Sequence, residues 1–420
     1  MRTSEIAKRM FLVVLPGMLL AAAVVLTACG GNSSSNNSSP QQFLFVADYT
    51  NNRVLVYDSP LTNGMSATSV IGQANFTTGT VNTGGIGAGT LNGPTGVALD
   101  GVGNLYVADS KNCRVLQYQP PFISGMAAAT LAVGQSNLSQ TCPPAASATS
   151  SSFAEPFGIV IDNVGNLWVS DITNHRVLMF PAPIAAGESA TVALGQASTS
   201  ASAGCNQGNA TASPTTLCYP TGLAFDSTGN LWVEDAGNNR VLMYPQNNLA
   251  NSGAAATVEL GQPEFASTAP NNGSVVSATS LFLSVNQVGG LAFDSLGNLW
   301  VTDSGNNRVL MYPKSSLTTP QAAAATMVLG QPSMTSNTAN SPAFSASTLW
   351  DPAGIAFDSA KRLVVADRAN FRTLIFAPPI TSSMNASVVI GQPDFQTNTT
   401  STLGISAATQ FAPLGIATAP

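Results

Sequence analysis

Charge is scarce in this 420-residue chain: Asp, Glu, Lys and Arg together make up 8% of it, and histidine occurs once, as His175. Aromatic residues are also few, at 7%, with four Trp among them. One histidine cannot build a multi-histidine zinc site. It also leaves a single possible partner for a catalytic Cys–His pair. Lys and Arg number 14 and nowhere cluster. A nucleic-acid partner is therefore disfavoured and none is expected, since phosphates are held by basic side chains that displace counterions. No stretch carries the 3.6-residue apolar period of an amphipathic helix.

What is present begins with a segment that the fold does not need. Arg2, Lys8 and Arg9 precede an apolar run from Met10 to Val25, and Leu26, Thr27, Ala28 and Cys29 follow it. A basic start, an apolar stretch and small residues before a cut mark an export signal. With Cys29 directly after Ala28, residues 1–28 resemble a bacterial lipoprotein signal peptide. The resemblance implies cleavage before Cys29 and lipidation of Cys29. Pro16 and Gly17 interrupt the run, which argues against a plain spanning anchor. Gly30, where an acidic residue is absent, resembles the outer-membrane-directed type if the cell has two membranes. Residues 29–42 are a Gly-, Ser- and Asn-rich tether that cannot bury enough apolar surface to order itself, with a reach of about 20 Å. Without the signal the chain holds 11 basic and 19 acidic residues, a net charge of −8. The expected location is the cell envelope, on the extracytoplasmic side of a membrane.

Four cysteines remain after Cys29: Cys113, Cys142, Cys205 and Cys218. An even number in an oxidising compartment points to two disulfides, with three possible connectivities. Cys205 and Cys218 share one loop, so 205–218 and 113–142 are the expected pairs. Their spacing matches no metal motif.

Residues 43–420 repeat themselves. "DSGNNRVLMYP" (303–313) has relatives at 48–58, 109–120, 171–181, 235–245 and 367–378. Upstream of five of these lies a second pattern, as in "PTGLAFDSTGNLWVED" (220–235) and "PFGIVIDNVGNLWVSD" (156–171). Downstream lies a third, Val-Leu-Gly-Gln or a close variant, ending in Gln73, Gln135, Gln196, Gln262, Gln331 and Gln392. Each unit therefore holds four short apolar runs, here called a, b, c and d, bounded by Gly, Asn and Pro as strands are. Asp-x-x-Gly-Asn between a and b is a tight hairpin turn. Pro at the start of a sits where no ladder donor is needed. Self-similarity of this period, roughly 60 to 70 residues with four strands, predicts a β-propeller. The chain opens at Phe43 with b, c and d and closes with "PLGIATA" (413–419), an a strand alone. The expected fold is all-β: a six-bladed β-propeller with four antiparallel strands per blade, its ring closed by the C-terminal strand a beside the N-terminal b, c and d.

Pro-x-Gly-x-Ala-x-Asp, Gly-Asn-Leu-Trp/Tyr-Val-x-Asp and Asn-x-Arg-Val together resemble the NHL repeat, and the resemblance covers essentially all of 43–420. It implies the six-bladed propeller. It implies no single activity, because that fold serves surface sensors, receptor ectodomains, RNA-binding domains and peptidylglycine alpha-amidating lyases.

In every unit an Asp ends strand b and an Arg opens strand c five residues later: Asp48 and Arg53, Asp109 and Arg114, Asp171 and Arg176, Asp235 and Arg240, Asp303 and Arg308, Asp367 and Arg372. A b–c loop brings the two together, and the guanidinium can fork onto the carboxylate. The Asn between them suits a turn. A residue written six times is read as a loop staple, not as chemistry. Function should lie where the copies differ. Glu234 ends a strand b that elsewhere carries Ala, Ser or Thr. His175 precedes its Arg where Asn is usual, and is read as a solvated turn residue. Glu155, Tyr219 and Asp351 precede strand a, with Trp350 alongside. In a propeller the b–c and d–a loops share one face, so Glu155, His175, Tyr219, Glu234, Trp350 and Asp351 are the candidate binding residues around one channel mouth. Leu91, Phe153, Leu217 and Leu349 are read as anchors of the d–a loops.

These readings favour a non-catalytic, lipid-anchored binding or interaction scaffold, a monomer, held to the membrane through Cys29 and taking a protein or glycan ligand. No cofactor is expected. The alternative is a metal-dependent propeller enzyme of the lactonase or lyase kind. The multi-histidine lyase type conflicts with the single His, but Glu155, Glu234 and Asp351 are able in principle to hold Ca²⁺ at the mouth. A third reading, a structural envelope protein, differs only in lacking a small ligand.

Overall fold

The computed structural model describes residues 42–122, 127–143, 148–286, 288–399 and 404–419. Residues 1–28, Cys29 and the tether as far as residue 41 lie outside the described residues, as does Gln287. The described chain forms 24 strands in six four-stranded antiparallel sheets. Blade 1 contains β1 (Phe43–Asp48), β2 (Arg53–Asp58) and β3 (Ser69–Ile71). Blade 2 is β4 (Pro94–Leu99), β5 (Leu105–Asp109), β6 (Arg114–Tyr118) and β7 (Leu131–Val133). Blade 3 is β8 (Pro156–Ile161), β9 (Leu167–Asp171), β10 (Arg176–Phe180) and β11 (Val192–Leu194). Blade 4 is β12 (Pro220–Phe225), β13 (Leu231–Asp235), β14 (Arg240–Tyr244) and β15 (Val258–Leu260). Blade 5 is β16 (Leu291–Phe293), β17 (Leu299–Asp303), β18 (Arg308–Tyr312) and β19 (Met327–Leu329). Blade 6 is β20 (Pro352–Phe357), β21 (Leu363–Asp367), β22 (Arg372–Phe376) and β23 (Val388–Ile390). Finally β24 (Pro413–Thr418) pairs with β1, giving blade 1 the order β24-β1-β2-β3. The last strand thus supplies the a position that the first unit lacks, and β1 is not left as an edge strand.

Two devices hold consecutive blades together, and both are readable as repeated residues. On the inner strands, the Gly of each Pro-x-Gly lies against the next blade's backbone. A methyl group on Gly96, Gly158, Gly222, Gly290, Gly354 or Gly415 would fall 2.0–2.5 Å from a carbonyl oxygen of the following blade, the last of these on Thr95 of blade 2. The glycine is therefore demanded by close approach, and the ring of contacts runs unbroken around the channel. Further out, the b-strand Trp of one blade meets the a-strand Phe of the next edge-to-face: Trp168 on Phe225, Trp232 on Phe293 and Trp300 on Phe357, with centroids 5.9–6.0 Å apart. The indole N–H of each Trp donates to the turn aspartate of its own hairpin, Asp162, Asp226 or Asp294, at 3.1–3.2 Å. The apolar core consequently lies between blades: one cluster joins Trp168 and Val177 of blade 3 to Leu223, Val233 and Leu242 of blade 4. Disulfides Cys113–Cys142 and Cys205–Cys218 tie the long loops of blades 2 to 4.

Candidate functional site

The b–c turns build one rim of the channel. In each, Asp ends strand b, a three-residue 3-10 turn follows, and the next residue takes a left-handed conformation: Asn52, Cys113, His175, Asn239, Asn307 and Phe371, with φ between 52° and 57°. Asn and His tolerate that conformation better than most residues. Asp Oδ2 accepts from the Arg Nε at 2.6–3.0 Å in all six blades, with both side chains fully buried. The intervening Asn donates its Nδ2–H to the same carboxylate, as Asn51 does to Asp48 at 2.9 Å and Asn238 to Asp235 at 2.7 Å.

The arginine does not fork onto the aspartate as the sequence suggested. Its Nη groups are engaged by backbone carbonyls of the loops on either side. Arg308 Nη2 donates to Ser277 O and Ser280 O at 2.8 and 3.0 Å, and its Nη1 to Met334 O. Arg372, Arg240, Arg176, Arg114 and Arg53 follow the same plan. The aspartate's Oδ1 meanwhile accepts a backbone N–H from the d–a loop, such as Cys218 at 2.6 Å or Trp350 at 2.8 Å. Each Asp–Arg pair therefore organises three chain segments, and every charge-bearing atom has a hydrogen-bond partner.

The left-handed residue reaches the next blade. Asn52, Asn239 and Asn307 each accept, through Oδ1, a backbone N–H from that blade's d–a loop: Gly93, Leu283 and Asp351, at 2.8–3.0 Å. His175 does the same through Nδ1, which accepts from Tyr219 N at 3.1 Å. It is buried, not the solvated residue expected, because the Tyr219 ring stands edge-on against it at 4.5 Å. Desolvation holds the His175 pKa below its usual value, although Asp235 and Asp171 oppose this. In the remaining two blades the latch is the Cys113–Cys142 disulfide and a stacked pair of rings, Phe371 on Phe411 at 5.1 Å.

Between the latches a cup of about 450 Å³ opens at the channel mouth. Every blade contributes to it: Tyr49 from blade 1, Lys111 from blade 2, Glu155 and Thr173 from blade 3, Tyr219 from blade 4, Asn286 from blade 5 and Arg368 from blade 6. Lys111 Nζ pairs with Glu155 Oε1, whose Oε2 accepts from Thr173 Oγ1 at 3.0 Å. Burial pulls the Lys111 ammonium down, but Glu155 more than offsets it and the net shift is upward. Arg368 Nη1 pairs with Asp351. Tyr219, Phe282 and Trp350 stand exposed on three successive d–a loops. Lys111, Thr173, Tyr49 and Arg368 were not singled out from the sequence. They occupy the two variable places of Asp-x-x-Asn, where the units read Tyr-Thr, Ser-Lys, Ile-Thr, Ala-Gly, Ser-Gly and Arg-Ala, and that variability was the available signal.

Glu234 does not join them. It lies within β13, fully buried in the wall of the ring, and neither carboxylate oxygen has a hydrogen-bond partner among the described residues. Burial pushes its pKa up to about 8; the charge of Asp303 adds to this, and the nearby Thr221 hydroxyl opposes it without reaching hydrogen-bond geometry. At the equivalent places a hydroxyl is well satisfied: Ser170 Oγ accepts from Gly158 N at 2.7 Å, and Thr302 Oγ1 from Gly290 N at 2.7 Å. Room for the longer side chain comes from Gly289, where a Cβ would fall 1.7 Å from Glu234 Oε2. The other a strands carry Thr95, Phe157, Thr221, Ala353 and Leu414 at that position. Val288 to Gly290 also fall outside the β16 ladder, so this inner strand is three residues long where the others have six.

Glu155, Glu234 and Asp351 are therefore not gathered into a shared cation site. Two are paired with cations and the third is sealed in the wall. Among the described residues, the one group of three side chains spaced to hold a metal ion is His175, Cys205 and Cys218, and its two sulfurs belong to a disulfide.

The family model of the NHL repeat matches residues 91–118, 217–244 and 286–312, each running from a d–a loop through strand c. The chain thus carries NHL repeats within a six-bladed propeller. No curated protein matches it. Solved structures similar to it include virginiamycin B lyase from Staphylococcus aureus, at 13% identity and a TM-score of 0.38, covering 68% of this chain and 67% of that one. A streptogramin B lyase structure aligns at 12% identity and a TM-score of 0.40, covering 80% and 85%. A protein of unknown function from Bacteroides caccae aligns at 10% identity and a TM-score of 0.46, covering 84% and 98%.

Proposed function

We propose that this NHL-repeat propeller is a lipid-anchored, extracytoplasmic binding scaffold that takes a polar partner at its channel mouth and performs no chemistry on it. The observation that carries the reading is the cup itself. Six units that otherwise repeat place Tyr49, Lys111, Glu155, Tyr219, Asn286 and Arg368 around one concavity, of a size that suits a small ligand or a projecting loop. Its charges are already paired, Lys111 with Glu155 and Arg368 with Asp351, which suits a partner rich in hydroxyl and amide groups better than a free ion. Exposed Tyr219, Phe282 and Trp350 offer flat apolar faces beside it, the surface on which sugar rings or protein side chains pack. Against catalysis stand the occupied Nδ1 of His175 and the engagement of the Glu155 carboxylate in the cup by Lys111 and Thr173. The Leu26–Cys29 box and two disulfides support an extracytoplasmic, anchored protein.

The test is binding of the purified chain to glycan and protein fractions of the cell envelope, compared with Lys111→Ala, Tyr219→Ala and Arg368→Ala. Loss of binding in the mouth variants with unchanged melting supports the reading. Binding that survives all three sinks it. The metal-enzyme reading keeps one foothold, the unpartnered Glu234 carboxylate. A divalent ion at about one per chain, with melting lowered by EDTA, would move that reading ahead.

A further inference from the structure

The face opposite the channel mouth carries features that neither the fold nor the proposed binding site uses. It is formed by the a–b hairpin turns and the c–d connections. At the tips of three turns, Val102, Val164 and Leu296 are 81%, 69% and 75% exposed. The turns need only the backbone of these residues: each N–H donates to its turn aspartate, Asp100, Asp162 or Asp294, at 2.9–3.1 Å. Between the tips, two open grooves of about 520 and 470 Å³ separate blades 3, 4 and 5. Trp168, Met179 and Phe225 line the first, and Trp232, Met243 and Phe293 the second.

Charge on this face is sparse. The six c–d connections, 59–68, 119–130, 181–191, 245–257, 313–326 and 377–387, contain one acid, Glu188, and one base, Lys314. The turn aspartates are occupied by donors of their own hairpins, as Asp100 is by Asn104 and Asp358 by Arg362. Asp58 and Lys361 complete the set. A surface with few charges loses little when it is taken out of bulk water. The chain also enters the ring on this side. Gln42, the first described residue, reaches Ser359 in the blade 6 turn, and Phe43 begins β1 opposite the end of β24. Twelve residues, 30–41, separate Gln42 from Cys29.

We propose that the hairpin-turn face is a membrane-contact surface. It rests on the headgroup layer of the bilayer that holds Cys29, with the Val102, Val164 and Leu296 tips in the apolar boundary and the channel mouth turned toward water. The proposal rests on the lipid-anchor reading of Cys29. Twelve residues between Cys29 and Gln42 span at most about 45 Å, so on the anchor reading the propeller stays close to the lipid. It attaches at the face where Val102, Val164 and Leu296 stand exposed at the turn tips and charge is sparse.

The test uses the lipidated full-length chain in phosphatidylethanolamine–phosphatidylglycerol vesicles. Single cysteines at Val164→Cys, Leu296→Cys or, on the opposite face, Val275→Cys carry an environment-sensitive fluorophore; the native cysteines are disulfide-bonded or acylated. Emission at 164 and 296 is expected to shift to shorter wavelength and be quenched by nitroxide lipids, while 275 keeps its aqueous spectrum. If 164 and 296 behave like 275 in protein that floats with the vesicles, the orientation is refuted and the anchor stands. If mass spectrometry finds Cys29 unmodified, the anchor reading has failed and the proposal falls with it.

Discussion

Replacing Glu234 with Gln removes a carboxyl that the fold keeps from water without giving it a partner. Its pKa is about 8 in the folded chain, against 4.5 for a free glutamate side chain. A group whose pKa rises on folding contributes fully below its unfolded value and loses that contribution as the pH climbs to its folded value. Stability attributable to Glu234 is therefore intact below pH 4.5, falls between 4.5 and about 8, and is flat beyond. At about 1.4 kcal/mol per pH unit the full loss is roughly 5 kcal/mol, an upper bound because a buried site relaxes or admits water once it is charged. Gln cannot ionise. It suffers a constant penalty for an unpartnered amide, roughly 1–3 kcal/mol, at every pH. The curve to measure is the difference in unfolding free energy between Glu234→Gln and the parent, by chemical denaturation from pH 4 to 9. Taking the difference cancels the six Asp–Arg pairs, which both proteins share. It should be near zero or negative at pH 4 and rise by several kcal/mol in favour of Gln by pH 8.5. A difference that stays flat across the range refutes the reasoning. It would mean that the carboxylate is satisfied, for example by a bound cation.

Gly289→Ala should destabilise by about 1–3 kcal/mol, because its methyl group would overlap the Glu234 carboxylate. Combined with Glu234→Thr, the residue type at Thr302, it should be tolerated, and a double-mutant cycle reads the non-additivity. Arg308→Leu leaves Asp303 buried without its cation and three loop carbonyls without their donors. A loss of about 3–5 kcal/mol in denaturant unfolding is expected. His175→Asn should be nearly neutral, since Asn239 and Asn307 already hold the same latch, whereas His175→Leu orphans the Tyr219 N–H and should cost about 1–3 kcal/mol. Ending the chain at residue 411 removes β24 and exposes the inner edge of β1; loss of a single cooperative melt, with aggregation by light scattering, is the expected outcome.

The architecture was legible because the chain writes each of its contacts several times. Pro-x-Gly announces an inner strand, and the unpaired a strand at 413–419 counts the blades. Partners across a blade boundary were harder to read. His175 looked solvated because its own turn is polar; what covers it is Tyr219, 44 residues away on the next blade. The Asp–Arg spacing gave the pair but not the loop carbonyls that claim the guanidinium, since carbonyls leave no mark in the sequence.

Glu234 and Gly289 make the same point about function. Each is a lone exception at a different place in the repeat and in a different blade, and only the ring brings a side chain of β13 against the inner strand that precedes β16. Read alone, Glu234 was a candidate ligand, and Gly289 drew no reading. Read together, they are one local rearrangement that opens the wall of blade 4 for a carboxyl and shortens the neighbouring inner strand. The mouth differs in exposure. There the variable residues of Asp-x-x-Asn reach the cup from four blades, as Tyr49, Lys111, Thr173 and Arg368, and the d–a loops add Tyr219 and Asn286 from the other two, so units that share a scaffold offer unlike side chains to a partner. Departures at the rim are paired as well, Lys111 with Glu155 and Arg368 with Asp351, but those pairs are partly exposed at the cup, whereas Glu234 and Gly289 meet inside the wall. A substitution at Gly289 should therefore be rescued by its partner across the blade boundary, whereas Lys111→Ala or Arg368→Ala should change binding with little change in melting.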